Sequence, residues 1–368
     1  MANQFITIQE IARNTLPRLL DNMVFPGLAY KDFSGDYARN LGDTIQVRRP
    51  TVLEAKEFDQ NEGVTPEDLV ETTVPVKLDK IATVDVEITA LQGATSIDDL
   101  NRQFLEPAAA ALAEKINSDG LELYKDIPYV CGTAGVTPSS LDDLAAARKA
   151  LNANNVPVSP RYALWDTEAD AKLVTVPAIV NADKSGSTPA LEEGSLGRVM
   201  RLENYMSQAV KHHKKGTLSD GGKPKAAAAA GSTALTLSGA SLTGTLVKGD
   251  ILTILGDSYV VTADAEAEGN EITVELYPAL KKNVNTATVV TVLGDHTANL
   301  VFHPAAFAFV TRPLVAPSGV ESYVTSYNGV SLRVVRGYNM TYKKEMLSMD
   351  VLYGFKTMYP ELAVRYLG

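Results

Sequence analysis

The chain has one cysteine, Cys131, one tryptophan, Trp165, and four histidines in 368 residues. A single cysteine closes no internal disulfide, so the fold must stand on packing alone, as suits synthesis in a reducing cytoplasm. Four histidines leave little material for general bases or metal ligands. No apolar run approaches the roughly 18 residues that a membrane span needs, so no membrane partner is expected. The opening stretch MANQFITIQEIARN has neither a basic start nor a continuous apolar run, so no secretory leader is expected. Positive charge is also scarce, with 34 Lys and Arg against 44 Asp and Glu, a net −10. Phosphate-binding surfaces are built from clustered Lys and Arg, which argues against a general nucleic-acid binder.

The recurrent catalytic signatures are missing as well. The sequence has no G-x-x-x-x-G-K-[ST], G-x-G-x-x-G, H-E-x-x-H, G-x-S-x-G or C-x-x-C. His212 and His213, in Lys211-His-His-Lys-Lys215, would point to opposite faces of a strand and cannot share one ion, so they read as a solvated basic patch. His303, in Val301-Phe-His-Pro304, reads as a structural histidine, and Cys131, without a cationic neighbour, as a buried inert thiol. Asp264, Glu266, Glu268, Gly269 and Glu275 match a calcium-loop pattern in spacing. Their flanks are strand-like, and a strand would hold Glu275 well away from Asp264, so a hairpin is the better reading. No enzyme activity, cofactor or metal site is expected.

What is present is an α+β pattern. Residues 1–30 read as an arm: Ile8, Ile11, Ala12, Leu16 and Leu19 form one helical stripe after a Thr7 cap, with Pro17 bending or ending the helix and Pro26-Gly27 stopping the segment. So short an amphipathic helix must dock, on the protein's own body or on a neighbouring chain. Alternation at Thr44–Val47 and again from Thr72 to Leu91 frames a strongly acidic, Gly- and Pro-containing stretch, 54–71, with a single lysine. Together they read as an extended hairpin whose tip is too charged to bury. A helix over 98–119 has Asp98 and Asp99 at its start, Pro107 inside and Gly120 after its last turn. A second, over 140–153, opens with the capping pair Ser140 and Asp143, and a third, over 168–174, is capped by Thr167. Residues 216–232 are low-complexity and read as a flexible tether. Strands at Ala234–Leu237, Asp250–Leu255, Tyr259–Thr262, Glu271–Leu276 and Thr288–Val292 then follow at sandwich or barrel spacing. The body pattern returns from Leu300, with strands around Ser331–Val335 and Met346–Tyr353. The expected organisation is an arm (1–30), a discontinuous body (31–215 with 298–368) and an inserted β module (216–297) at a surface loop.

Several stretches, in order, resemble the coat proteins of tailed bacteriophages, specifically the "protein five" coat family of Salmonella-type podoviruses. They are Asn101–Ile116, Leu141–Leu151, Ala163–Asp166, Gly197–Asn204 and Asn299–Pro313. The resemblance implies the HK97-like phage capsid fold: an N-terminal arm, an extended loop at about 48–78, a spine helix at about 98–119, and peripheral and axial domains. The β module would be a small, barrel-like insertion domain. The implied function is a major capsid protein that assembles into pentamers and hexamers of an icosahedral shell, located in the virion after synthesis in the host cytoplasm. Scaffolding and portal proteins are the implied partners, with packaged double-stranded DNA nearby but not specifically bound. Candidate inter-subunit contacts are Ile8, Ile11 and Leu16 in the arm, and Arg48, Arg49, Glu57, Asp59, Glu62 and Asp68 in the loop. A cargo-enclosing encapsulin on the same fold is the alternative, separated by its neighbouring genes; an enzyme or a monomeric binding protein would instead need a convergent pocket.

Overall fold

The computed structural model describes residues 8–31, 42–48, 73–88, 104–181, 192–219, 222–339 and 344–368. In chain order the principal elements begin with helices α1 (Ile8–Asn22) and α2 (Val24–Leu28), then strands β1 (Thr44–Arg48), β2 (Thr73–Lys77) and β3 (Lys80–Ile88). Helices α3 (Glu106–Leu121) and α4 (Leu141–Ala153), strand β4 (Tyr162–Trp165), helix α5 (Thr167–Val174) and strand β5 (Leu202–Met206) follow. Next come β6 (Ala234–Ser238), β7 (Ile251–Ile254), β8 (Asp257–Val261), β9 (Glu271–Tyr277) and β10 (His296–Phe302). The chain closes with β11 (Phe307–Arg312), β12 (Glu321–Tyr327), β13 (Val330–Asn339), β14 (Lys344–Thr357) and β15 (Ala363–Leu367). It divides into two compact units: residues 1–23, 29–116 and 307–358, and residues 24–28, 117–306 and 359–368. The β module falls within the second unit, so this division cuts across the body expected from sequence.

The first unit is built on β14. Its first half pairs antiparallel with β13, its last residues pair with β11, and β3 runs along its other side. β12 and β13 form a hairpin through Asn328-Gly329, both at positive φ (49° and 75°), the backbone that a tight two-residue turn requires. Helix α1 packs across β12 and β13. It continues through Pro17 to Asn22, so that of the two expected outcomes, a bend or an end, the proline does not end it; Leu16 and Leu19 on either side are buried and hold the helix by packing. Pro26-Gly27 likewise lie inside the short helix α2 and do not stop it.

The second unit carries a mixed sheet in the order Val130–Gly132, β15, β10, β4, β5, Arg198–Val199. Helices α4 and α5 bury Leu144, Ala147, Leu151 and Leu173 against Trp165, Val301, Val364 and Tyr366. Helix α4 starts as the sequence indicates, with reciprocal Ser140 and Asp143 capping bonds. Asp166, not Thr167, caps α5, because its carboxylate reaches the amides of Glu168 and Ala169. Helix α3 is helical from Glu106, with Pro107 tolerated as its second residue, and it runs through Gly120 to Leu121. The expected start at residues 98–103 lies outside the described residues.

Residues 218–292 form their own apolar core: Leu235, Leu237, Leu252, Ile254, Tyr259, Val261, Ile272, Val274, Leu276 and Val290 all face it. The strands order as Lys223–Pro224, β6, β9, β8, β7, Val290–Val292, and the Val290 amide donates to Gly222 O at 3.3 Å, joining the two edges of a rolled sheet. The segment read as a flexible tether is part of this structure. Leu218 is buried in the core, Ala228 and Val284 exchange two backbone bonds of 2.9 Å, and Gly231 N donates to Leu280 O at 2.7 Å. Alanines supply no side-chain bonds, so composition suggested freedom where the backbone is stitched. Residues 220 and 221 lie outside the described set.

Candidate functional site

The expected extended hairpin is present at its base. β1 and β2 pair antiparallel from Thr44↔Lys77 to Arg48↔Thr73, and Gly42 N to Leu78 O (2.6 Å) and Leu78 N to Asp43 O (2.8 Å) lengthen the ladder. Period-two alternation turns Ile45, Val47, Val76 and Leu78 inward. Among the described residues β1 pairs only with β2, as a two-stranded sheet of its own. The ribbon is rooted on β14: a Cβ on Gly354 would lie 2.2 Å from Lys77 O, so the backbones cross at a point only glycine permits. Of the candidate contacts, Arg48 is exposed at the far end of β1. Arg49, Glu57, Asp59, Glu62 and Asp68 lie outside the described residues.

Ile8, Ile11 and Leu16 are buried, with Ala12 and Leu19, on the α1 face turned to β12 and β13. Of the two coverings that the stripe left open, the protein's own sheet is the one seen, so these three side chains are already covered without a neighbour.

A polar cluster joins the β module to the sheet beneath it. His213 was read as solvated, but it is buried, because its two-residue strand pairs with the start of β10 and turns the ring inward while His212 faces out. Its Nδ1 lies 2.9 Å from Tyr124 Oη and its Nε2 2.8 Å from Asp250 Oδ1. Asp250, also buried, accepts from the amides of Gly216 (3.1 Å) and Val247 (2.8 Å). Beside this chain sits Arg365, fully buried, donating to Gly249 O (2.9 Å), Tyr124 O (2.6 Å) and Ile127 O (3.2 Å), and approaching His296 Nε2 at 3.4 Å. Its guanidinium lies 4.9 Å from the centre of the Tyr124 ring. Burial pushes the Tyr124 hydroxyl up to about 12 and Arg365 down to about 10. Burial likewise holds His296 down at about 4, with Arg365 adding to the fall and a bond to Gly294 O opposing it. Sequence reading missed this cluster, although a charge inside the apolar run Ala363-Val-Arg-Tyr-Leu367 is a signal of a partnered buried arginine.

The remaining chemical candidates are separate. Cys131 is half-buried, and burial followed by the nearby Asp143 carboxylate pushes its thiol up to about 12. His303 Nδ1 accepts from the amide of Ala305 at 3.2 Å, a local turn bond. Asp264 accepts from the Lys248 amide at 2.7 Å, and Glu275 stands on β9 beside Thr262, the hairpin arrangement. Among the described residues no cluster of three or more His, Cys, Asp or Glu is placed to hold a metal ion.

No family model and no curated protein matches the chain. Among solved structures it is similar to a chain of Mycobacterium phage Che8, at 17% identity and a TM-score of 0.47, covering 94% of this chain and 90% of that one. It is similar to a chain of the capsid of Cyanophage P-SCSP1u at 14% identity and a TM-score of 0.46, covering 94% and 88%. The virus-like particle from Pyrococcus furiosus gives 9% identity and a TM-score of 0.41, covering 97% and 98%. All three are likenesses of outline.

Proposed function

We propose that the chain is a structural subunit that works by assembling with copies of itself. More particularly, we propose that it is the major capsid protein of a tailed bacteriophage, of the Salmonella-type podovirus coat family that its sequence resembles. The observation that carries this reading is the β1–β2 ribbon. A two-stranded sheet is marginal in water, and this one leads into an acidic connection, 49–72, too charged to fold back into a core. Contacts from neighbouring copies would stabilise it, through Arg48, Arg49, Glu57, Asp59, Glu62 and Asp68.

In this reading the shell fold comprises residues 31–215 and 298–368, and the rolled sheet within 216–297 is its insertion domain. The private core of residues 218–292 supports that division. Scaffolding and portal proteins assist assembly, and the mature chain resides in the virion. Net acidity suits a container whose wall must not bind the packaged DNA tightly. Sedimentation velocity of the full chain, with and without residues 54–71, tests the proposal. The full chain expressed with its scaffold sediments as large uniform particles, and the deletion stays soluble and small. Large particles from the deletion would remove the ribbon from the assembly contacts.

A further inference from the structure

The cluster under the β module has a charge balance that one proton would upset. Its buried members are the cation Arg365, the carboxylate Asp250, the neutral phenol Tyr124 and two imidazoles, His213 and His296. His213 is engaged at both ring nitrogens, Nδ1 by Tyr124 Oη at 2.9 Å and Nε2 by Asp250 Oδ1 at 2.8 Å. His296 is also committed: Nδ1–H donates to Gly294 O at 2.9 Å, which leaves Nε2 as the acceptor facing Arg365 NH1. A proton on His296 Nε2 would turn that acceptor into a donor aimed at a guanidinium. The ring would also stand 5.2 Å, centre to centre, from His213.

The charged groups facing the cluster offer little compensation. Asp250 is already engaged by His213 and two amides. Asp126 pairs with Lys248 at 3.1 Å, and Lys125 packs its alkyl chain on Gly249 while its amine pairs with Glu122. Lys211 bonds Ser118 and reaches Glu122 at 3.7 Å, and exposed His212 lies over Thr297. The partners lie in the segments that enter and leave the module, 211–216 and 294–297, in the module's own 247–250 turn, and outside it at Tyr124, Ile127 and Arg365. The module's apolar core shares none of these side chains.

We propose that the Tyr124–His213–Asp250 chain and the Arg365–His296 contact form a proton-sensitive latch. It fixes the β module at neutral pH and loosens the root in acid while the module stays folded. The inference concerns one chain and holds whether or not the chain assembles. The low value for His296 sets the window. Its folded form takes a proton less readily than the free ring, so the latched state weakens as pH falls from 6.5 towards 4. The opening equilibrium rises about tenfold per pH unit across that range, up to about 300-fold.

Amide exchange on the full chain at pH 7 to 4, corrected for intrinsic rates, tests this. Gly216, Val247, Asp250 and Ala298 should lose protection by that factor while β7, β8 and β9 keep theirs. His296→Gln keeps an acceptor for Arg365 but cannot take the proton, so its root amides should show a flat profile. An unchanged pH response in that variant, or simultaneous loss of protection in β7–β9, would overturn the latch. Should the variant fail to fold, histidine NMR of the unaltered chain still decides. One imidazole neutral at pH 5 supports the latch, and four titrating near 6.5 refute it.

Discussion

Replacing Gly354 with alanine puts a methyl group where the hairpin's backbone already runs. The new Cβ would stand 2.2 Å from Lys77 O, 3.0 Å from Lys77 C and 3.4 Å from Leu78 Cα. Relief requires the end of β2 to move by about 1 Å against a well-packed site, which costs about 1–3 kcal/mol. Leu78 is fully buried and its amide and carbonyl are both bonded to the Gly42–Asp43 turn, so the segment cannot swing aside freely. Alanine recovers about 0.4–1 kcal/mol by restricting the unfolded chain. The net expectation is a loss of about 1–2 kcal/mol, concentrated in residues 42–48 and 73–78. Amide exchange separates this from a general effect: protection should fall roughly five- to thirtyfold in the ribbon, the factor that this energy corresponds to, and stay unchanged in β12 and β13. The same variant, expressed with its scaffold, should form fewer particles. Equal or higher ribbon protection in the variant would refute the crossing as a constraint.

Other expectations follow from single sites. Asp143→Ala removes the capping box of α4 and the partner of Tyr366 Oη (2.7 Å), and should cost about 1–2 kcal/mol in denaturant unfolding. Burial raises the Asp143 carboxyl, but bonds from Tyr366, Ser139 and Ser140 outweigh it and hold the group below its ordinary value. The stability it contributes should therefore be complete above the ordinary carboxylate range and disappear as pH falls through it, a difference that Asp143→Ala abolishes. Cys131, with its thiol pushed up to about 12, should react with iodoacetamide at pH 8 far more slowly than free cysteine; a matching rate would show an open thiolate. Asp250→Asn leaves one carbonyl where the carboxylate served His213 and two amides, and should destabilise the chain by about 2–4 kcal/mol in thermal unfolding.

Local pattern carried much of the fold. β6 to β9 each fall within about two residues of their expected bounds, because alternation is a property of the strand itself. The Ser140 and Asp143 pair was legible for the same reason, since both halves of a capping box lie within one turn. The α1 stripe announced burial but not its cover, which comes from β12 and β13, some 300 residues away in the chain. Pro17 survives in a helix because packing outweighs one lost backbone bond. The histidine pair shows the limit most sharply. His212 and His213 look alike in sequence, and only pairing with β10 decides which ring is buried. Its partners Tyr124 and Asp250 lie 89 and 37 residues away. The acidic 54–71 segment, which the functional reading uses most, was visible only as composition.

Electron microscopy of the full chain co-expressed with a scaffolding protein tests the central claim most directly. The account predicts closed particles of uniform diameter whose wall is built from this chain alone. A chain that stays monomeric in every condition, scaffold included, would contradict it.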